Sequence, residues 1–251
     1  MSWKVFLASA TGKHHLDGNT PCQDAVHCVQ LDAGFVGVVC DGAGSASQGR
    51  QGADFFAGAV SERVAAALRA GNLEPGLTGD GQECLLDIIE SAREELGQMA
   101  QVQNCALRDF ACTLVGCASS RAGGFFFHIG DGFAVHRSDS GQSIVSRPEN
   151  GEFSDETYFV TEGNWREHLR ITPLPAARSG ALIGLMSDGT SPFAIDRGRT
   201  GFYGPFIDPV VHFLARASAR DGNQALHQVL ASERTYGITA DDKTLLLALA
   251  T

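Results

Sequence analysis

Short apolar runs recur along the chain between turns that contain glycine, asparagine and proline. Runs of this length between turn residues are typical of β-strands. The first three runs follow one another closely, which predicts an antiparallel meander at the N-terminus. The predicted strands are residues 3–9, 25–31, 34–40, 112–119, 123–130, 133–139, 157–161, 181–187 and 244–250.

Other segments show apolar residues at helical spacing. The first covers residues 52–70 and ends at Gly71, a residue type that commonly terminates helices. The second covers residues 81–103, where Asp80 and Glu83 resemble a capping box. Two further helices are predicted at residues 205–219 and 223–233. Strands, two helices, strands, two helices and a last strand favour a layered α+β domain over a wound parallel sheet.

The middle of the chain carries two further signals. The runs 123–130 and 133–139 are joined by Gly-Asp-Gly, which predicts a tight hairpin. Residues 147–172 are polar, with only one brief strand signal, which indicates an excursion or flap. We therefore predict a single domain over residues 1–251 with a flap around residues 147–180.

Composition excludes several classes of protein. The formal net charge of −10 would repel a nucleic-acid backbone, so we expect no nucleic-acid partner. The apolar runs are shorter than the roughly 20 residues that cross a bilayer, and the N-terminus shows no export signal. The 7 cysteines lack C-x-x-C spacing, which disfavours disulfides and zinc, and Cys40, Cys112 and Cys117 lie inside apolar runs, which predicts buried thiols. We expect a soluble cytoplasmic protein that does not bind membranes.

Aspartates stand next to several of the predicted strands. Asp41 and Asp188 each follow an apolar run, Asp131 lies between two of them, and Asp241 and Asp242 precede the last. A single Asp-Gly pair is more typical of a turn than of a site. If the strand ends converge, however, the carboxylates repel one another and require cations. Oxygen ligands favour Mg²⁺ or Mn²⁺, and two such ions suit the hydrolysis of a phosphate ester by water.

Six motifs in this order resemble the metal-dependent serine/threonine phosphatases of the 2C type, and most closely their bacterial branch. The motifs are CQDA at 22–25, VVCDGAG at 38–44, CTLVG at 112–116, HIGDG at 128–132, SDG at 187–189 and DDKTLLL at 241–247. The resemblance implies a central antiparallel β-sandwich flanked by helices on both sides, in α-β-β-α layers. It also implies hydrolysis of phosphoserine and phosphothreonine in proteins by a metal-activated water, with no covalent intermediate.

The resemblance also assigns metal ligands. Asp41 would bridge two Mg²⁺ or Mn²⁺ ions, and the carbonyl of Gly42 would complete the shell of one of them. Asp188 and Asp241 would hold the other ion. Asp131, together with Asp188, matches a third and weaker metal position of the family.

Near the first motif the chain both matches the family and departs from it. Asp24 matches a family aspartate and would orient metal-bound waters. It follows Gln23, where the animal enzymes have an acidic residue, and Ala43 stands where they have a histidine thought to protonate the leaving group. Asn19 replaces the arginine that grips phosphate. We favour His15 as the replacement anchor, because its loop leads into Asp24, and a solvated histidine is the alternative.

The resemblance implies partners and leaves alternatives open. A phosphorylated protein is the expected substrate, an opposing serine/threonine kinase is the expected counterpart, and residues 147–157 resemble a stretch near the substrate flap. One alternative is a catalytically weak pseudophosphatase that binds a kinase or signalling partner. A dinucleotide-binding turn at residues 42–47 is disfavoured, since no second strand with a terminal acidic residue follows at the required distance.

Overall fold

The computed structural model describes residues 2–74, 77, 79–148 and 157–251. Within these ranges the strands are β1 (Trp3–Ala10), β2 (Asp24–Leu31), β3 (Gly34–Asp41), β4 (Leu114–Ser120), β5 (Gly123–Ile129), β6 (Phe133–Arg137), β7 (Ser143–Ser146), β8 (Arg170–Leu174), β9 (Leu182–Met186) and β10 (Lys243–Ala250). The helices are α1 (Lys13–Asp17), α2 (Gly49–Ala70), α3 (Gly79–Val102), α4 (Trp165–His168), α5 (Ser191–Ala194), α6 (Gly204–Leu214), α7 (Ala219–Leu230) and α8 (Glu233–Tyr236).

Two antiparallel five-stranded sheets form the centre of the fold. The first sheet has the order β1-β10-β9-β6-β7 and the second has the order β2-β3-β4-β5-β8. Helix α2 packs on β2 and β3 of the second sheet, with α3 against it, while α7 packs on β1 and β10 of the first sheet and contacts α6. The prediction of an α+β sandwich with helices on both sides is therefore confirmed.

The last strand shows why the strands are apolar along their whole length. Leu245 and Leu247 of β10 pack toward the helices of the first sheet. Leu246 and Ala248 point the other way and join the core between the two sheets. Successive side chains of a strand face opposite sides, so a strand with both faces covered must be apolar at every position. Each buried leucine stabilises the fold by about 1.5–3 kcal/mol.

Two predictions of strand pairing were wrong. β2 and β3 pair as expected, but β1 does not join them and pairs instead with β10, from Trp3 opposite Ala250 to Ala10 opposite Lys243. The residues between β5 and β6 form no hairpin, because β5 belongs to the second sheet and β6 to the first. Gly130, at φ +109°, has a backbone conformation that other residues avoid, and it lies where the chain crosses between the sheets. Turn residues alone do not reveal which strand a run will pair with.

Element boundaries differ from the predictions at several points. Residues 157–161 form no strand, while β7 and β8 had not been predicted. Both lie at sheet edges and carry exposed or partly exposed residues, which weakens an alternating pattern. Helix α2 begins at Gly49 instead of residue 52, and α6 ends at Leu214 instead of residue 219. Helix α7 begins after Ser218, whose Oγ accepts a hydrogen bond from the backbone N–H of Asp221.

The cysteines agree with the prediction of free thiols, since all of them are free and Cys40, Cys112 and Cys117 are buried. Among the residues that the structure describes, no helix combines the length and the apolar character needed to cross a membrane. Residues 149–156 of the predicted flap lie outside the described ranges, so the flap stays a prediction.

Candidate metal and phosphate site

The predicted site residues lie at one end of the sandwich. Asp41 is the last residue of β3 and is opposite Asp24, the first residue of β2. Asp131 lies where the chain crosses from β5 to β6, and Asp188 follows β9. Asp241 precedes β10. The two sheets therefore bring together aspartates that are far apart in the sequence.

A cavity of about 290 Å³ opens at this end. One carboxylate oxygen each from Asp41, Asp131 and Asp188 lies within 4.8 Å of the others. Asp241 also lines the cavity, whereas Asp24 does not. The cavity is lined by His14, His15, Gln23, Asp41, Gly42, Ala43, Gly44, Ser45, Thr113, Asp131, Thr157, Phe159, Asp188, Asp241 and Asp242.

Hydrogen bonds anchor the segments that carry the three clustered aspartates. The backbone N–H of Asp41 donates to Oγ1 of Thr113 at 2.9 Å, and Thr113 N–H donates back to the carbonyl of Asp41 at 2.9 Å. Oγ1 of Thr157 donates to Oδ2 of Asp131 at 2.7 Å. Asp188 begins a 3-10 turn whose Thr190 donates to the carbonyl of Thr244 at 3.0 Å. The cluster is thus positioned by contacts from segments that are far apart in the sequence.

The electrostatics of the cluster are unfavourable without a cation. Burial raises the pKa of Asp41 well above its usual range, and the charges of Asp24, Asp188 and Asp131 raise it further. Burial also raises the pKa of Asp188 to about 6, helped by the charges of Asp131 and Asp241. Oδ1 of Asp131 and Oδ1 of Asp188 are buried without a hydrogen-bond partner. Converging oxygens with unused lone pairs fit a hard divalent cation.

Gly42 lies where the backbone passes very close to other segments. A Cβ built at this position would lie 2.5 Å from the carbonyl carbon and oxygen of Gly49, at the start of α2. It would also lie 2.8 Å from the carbonyl oxygen of Gln23. The resemblance assigned only the carbonyl of Gly42 to a metal, and the structure adds that the fold itself excludes a side chain here.

Asp24 lies behind the cavity and is almost completely buried. Its Oδ2 accepts a hydrogen bond from Oγ of Ser187 at 2.7 Å, and its Oδ1 has no partner. Oγ of Ser187 in turn accepts from the backbone N–H of Thr244 at 3.0 Å. Asp24 therefore links the start of β2 to the residue before Asp188. Its predicted role with metal-bound waters stays a prediction.

The structure adds Asp242, to which the sequence had assigned no role. Its Oδ1 accepts from the backbone N–H of Gly12 at 2.6 Å, and its Oδ2 accepts from the backbone N–H of Gln23 at 2.6 Å. Nδ1 of His15 lies 2.9 Å from the same Oδ2. Asp242 therefore fixes His15 at the cavity wall. Its position beside Asp241 was the only signal in the sequence.

Lys243 was also missed. Its side chain is fully buried, and its Nζ donates to the carbonyl oxygen of Asp241 at 3.1 Å. The same Nζ lies 4.1 Å from the ring centroid of Tyr236, within the range of a cation–π contact. Burial lowers the pKa of Lys243, while the charges of Asp242 and Asp241 oppose that shift. In the sequence this lysine looks like an ordinary solvated residue before a strand.

A two-sheet sandwich with a carboxylate cluster at one end is an arrangement with known relatives. A sequence profile described as "Protein phosphatase 2C" matches residues 11–231. "Serine/threonine-protein phosphatase 3" of Escherichia coli (strain K12) is 31% identical over 260 residues, which cover 99% of each chain. The chain belongs to the protein phosphatase 2C family. The predicted resemblance and the predicted enzyme class, a serine/threonine protein phosphatase, are confirmed.

Solved structures agree on the fold. The catalytic domain of the phosphatase PstP, in complex with 2 manganese ions, has a TM-score of 0.67 at 17% identity, covering 98% of this chain and 97% of that one. PppA of Pseudomonas aeruginosa has a TM-score of 0.66 at 19% identity, covering 100% of this chain and 99% of that one. At these identities the comparison shows the shared fold alone.

Proposed function

We propose that the chain hydrolyses phosphoserine and phosphothreonine in proteins by direct attack of water, without a covalent intermediate. The observation that carries this proposal is the cluster of Asp41, Asp131 and Asp188, whose oxygens lie within 4.8 Å of one another at the wall of a cavity. The full-length similarity to a serine/threonine phosphatase supports the substrate class. A phosphorylated protein is then the substrate, and a serine/threonine kinase is its counterpart.

The donor set fits two Mg²⁺ or Mn²⁺ ions. Asp41, the carbonyl of Gly42, Asp188 and Asp241 would hold them, and Asp131 with Asp188 would hold a third, weaker ion. The PstP structure contains 2 manganese ions, which supports this choice of metal. When bound, such ions activate water and stabilise the negative charge on the phosphoryl oxygens.

His15 is our candidate for the phosphate anchor. Its Nδ1 is engaged by Asp242 at 2.9 Å, which leaves Nε2 as the nitrogen available to a phosphoryl oxygen. Two backbone N–H groups fix the carboxylate of Asp242, so the imidazole is held without help from the substrate. A pre-oriented donor binds without a large loss of side-chain entropy. Ala43 has no side chain that could donate a proton, so in this proposal water protonates the leaving oxygen.

The pseudophosphatase alternative receives no support. Asp41, Asp188 and Asp241 all line the cavity. Burial and neighbouring charges raise the pKa of Asp41 and of Asp188, and such carboxylates destabilise a folded chain unless a cation offsets them. A cytoplasmic location also remains part of the proposal, and free cysteines are consistent with a reducing compartment.

The test is hydrolysis of a phosphothreonine peptide with Mn²⁺ or with EDTA. We expect activity only with the metal, and Asp41→Asn should reduce kcat by at least about a hundredfold, as is typical when an orienting group is lost. Asp32→Asn, an exposed change in the turn between β2 and β3, is the matched control and should keep full activity. Full activity in EDTA would contradict the proposal. A lack of activity with every divalent metal would favour a pseudophosphatase.

A further inference from the structure

A second cavity, of about 490 Å³, lies between the start of α6 and the end of α7. We call it the helix groove. Its walls combine polar and apolar surface, and the apolar side chains include Pro192, Phe193, Pro205, Phe206, Pro209 and Val210. Tyr203 and Ile238, which also line it, are 44% and 50% exposed. Large apolar side chains left in water beside a concave surface are typical of a binding site.

The helix groove and the carboxylate cavity are formed in part by the same chain segments. Helix α5, which forms one wall, begins at Ser191, directly after the turn that starts with Asp188. Helix α8, which forms another wall, ends at Tyr236, whose ring contacts Nζ of Lys243. That Nζ donates to the carbonyl of Asp241. The segments that carry Asp188 and Asp241 therefore continue into the walls of the groove.

Two exposed arginines, Arg197 and Arg234, line the helix groove. In the part of the chain that the structure describes, neither side chain forms an ion pair or a hydrogen bond with the protein, whereas Arg63 and Arg137 both pair with carboxylates. Among the described residues that line the groove none is acidic, so its charged part is positive although the chain as a whole has 29 acidic residues against 19 basic ones. Such a pair beside apolar walls is complementary to an acidic segment.

We propose that the helix groove docks a segment of the phosphoprotein substrate in which an apolar residue is flanked by acidic residues. The inference rests on the proposed function, because the phosphorylated residue occupies the carboxylate cavity at the same time. The apolar side chain packs against Phe206 and Ile238, and the acidic residues pair with Arg197 and Arg234. Acidic residues next to the phosphate would meet the aspartates of the cavity, so recognition by negative charge requires this separate surface.

The experiment compares phosphothreonine peptides of equal length that differ only in an extension. One carries Glu-Leu-Glu, a second carries Lys-Leu-Lys and a third carries Glu-Ser-Glu, each placed on the N-terminal or the C-terminal side. With Mn²⁺, we expect kcat/KM for the Glu-Leu-Glu peptide to exceed that for the Lys-Leu-Lys peptide by at least about tenfold on one of the two sides, since like charges at an interface are costly. Glu-Ser-Glu should fall between them.

The second part of the experiment reverses the charge of one arginine in the protein. Arg234→Glu should abolish or invert the preference for Glu-Leu-Glu over Lys-Leu-Lys. Arg220→Glu is the matched control, because Arg220 is exposed in the first turn of α7 and does not line the groove. It should retain the preference. Circular dichroism of both variants checks that they are folded.

The outcomes separate the two proposals. Equal kcat/KM for all extensions, or the same loss of preference in Arg220→Glu and Arg234→Glu, would overturn docking in the helix groove. Turnover of every peptide without preference would leave the phosphatase proposal standing. If no peptide is hydrolysed, fluorescence anisotropy of the same labelled peptides decides docking on its own: binding of Glu-Leu-Glu that Arg234→Glu weakens supports it, and no binding refutes it.

Discussion

Replacing Asp24 with asparagine tests how much the buried carboxylate of Asp24 lowers the free energy of unfolding when no cation is bound. Asp24 is 6% exposed, and its Oδ1 has no partner. Burial raises the pKa of Asp24 from 3.8 to about 7, although hydrogen bonds from Ser187 and Thr244 act in the opposite direction. The charges of Asp242 and Asp188 add to the increase. The folded protein therefore holds this proton to a higher pH than the unfolded chain.

The sign of the pH effect follows from this difference. The folded state binds more protons than the unfolded state between about pH 4 and pH 7, so the free energy of unfolding falls as the pH rises through that window. At about 1.4 kcal/mol per pH unit, the loss is on the order of 4 kcal/mol. Asparagine has no proton to lose, yet its carbonyl oxygen can still accept the hydrogen bond from Ser187. The Asp24→Asn variant should lack this part of the pH dependence.

The assay is urea denaturation in EDTA at about pH 4.5 and pH 8, followed by tryptophan fluorescence. From the lower to the higher pH, we expect the free energy of unfolding of the unsubstituted protein to fall by several kcal/mol more than that of Asp24→Asn. Added Mn²⁺ should reduce the difference at pH 8, because a ligand that binds the folded state stabilises it. Parallel pH dependence of the two proteins in EDTA would show that Asp24 ionises in the folded protein without cost, contrary to this prediction.

Two further predictions follow from the site. Gly42→Ala places a Cβ 2.5 Å from backbone atoms of Gly49 and should destabilise the protein by about 1–3 kcal/mol or more, whereas Gly58→Ala, with nothing within 4 Å, should be neutral or stabilising. Equal melting temperatures of the two variants would contradict this account. His15→Ala should raise KM for a phosphopeptide by about tenfold, the loss of one hydrogen bond to a charged group, while Lys13→Ala, outside the cavity lining, should not. An unchanged KM would remove His15 from the site.

The sequence located the site because charged residues there interrupt an otherwise apolar pattern. Asp41 and Asp188 each follow a run that becomes a buried strand, and a carboxylate in that place is unfavourable unless it is paired or binds a metal. The same logic drew attention to Asp131 and Asp241. Asp242 and Lys243 received no role, since their importance lies in contacts with Gly12, His15 and Tyr236. Nothing in the local pattern indicates such distant partners.

Local patterns in the sequence were enough to predict the layered α+β class, the two long helices α2 and α3, and the aspartates at the strand ends. Period-2 and helical patterns are local, so they can be read without knowledge of the rest of the chain. Long-range packing determines that β1 pairs with β10, that Gly-Asp-Gly carries the chain between sheets, and that residues of α5, α6, α7 and α8 line one groove. These features depend on which apolar faces fit together across the chain, and an apolar strand does not specify its partner.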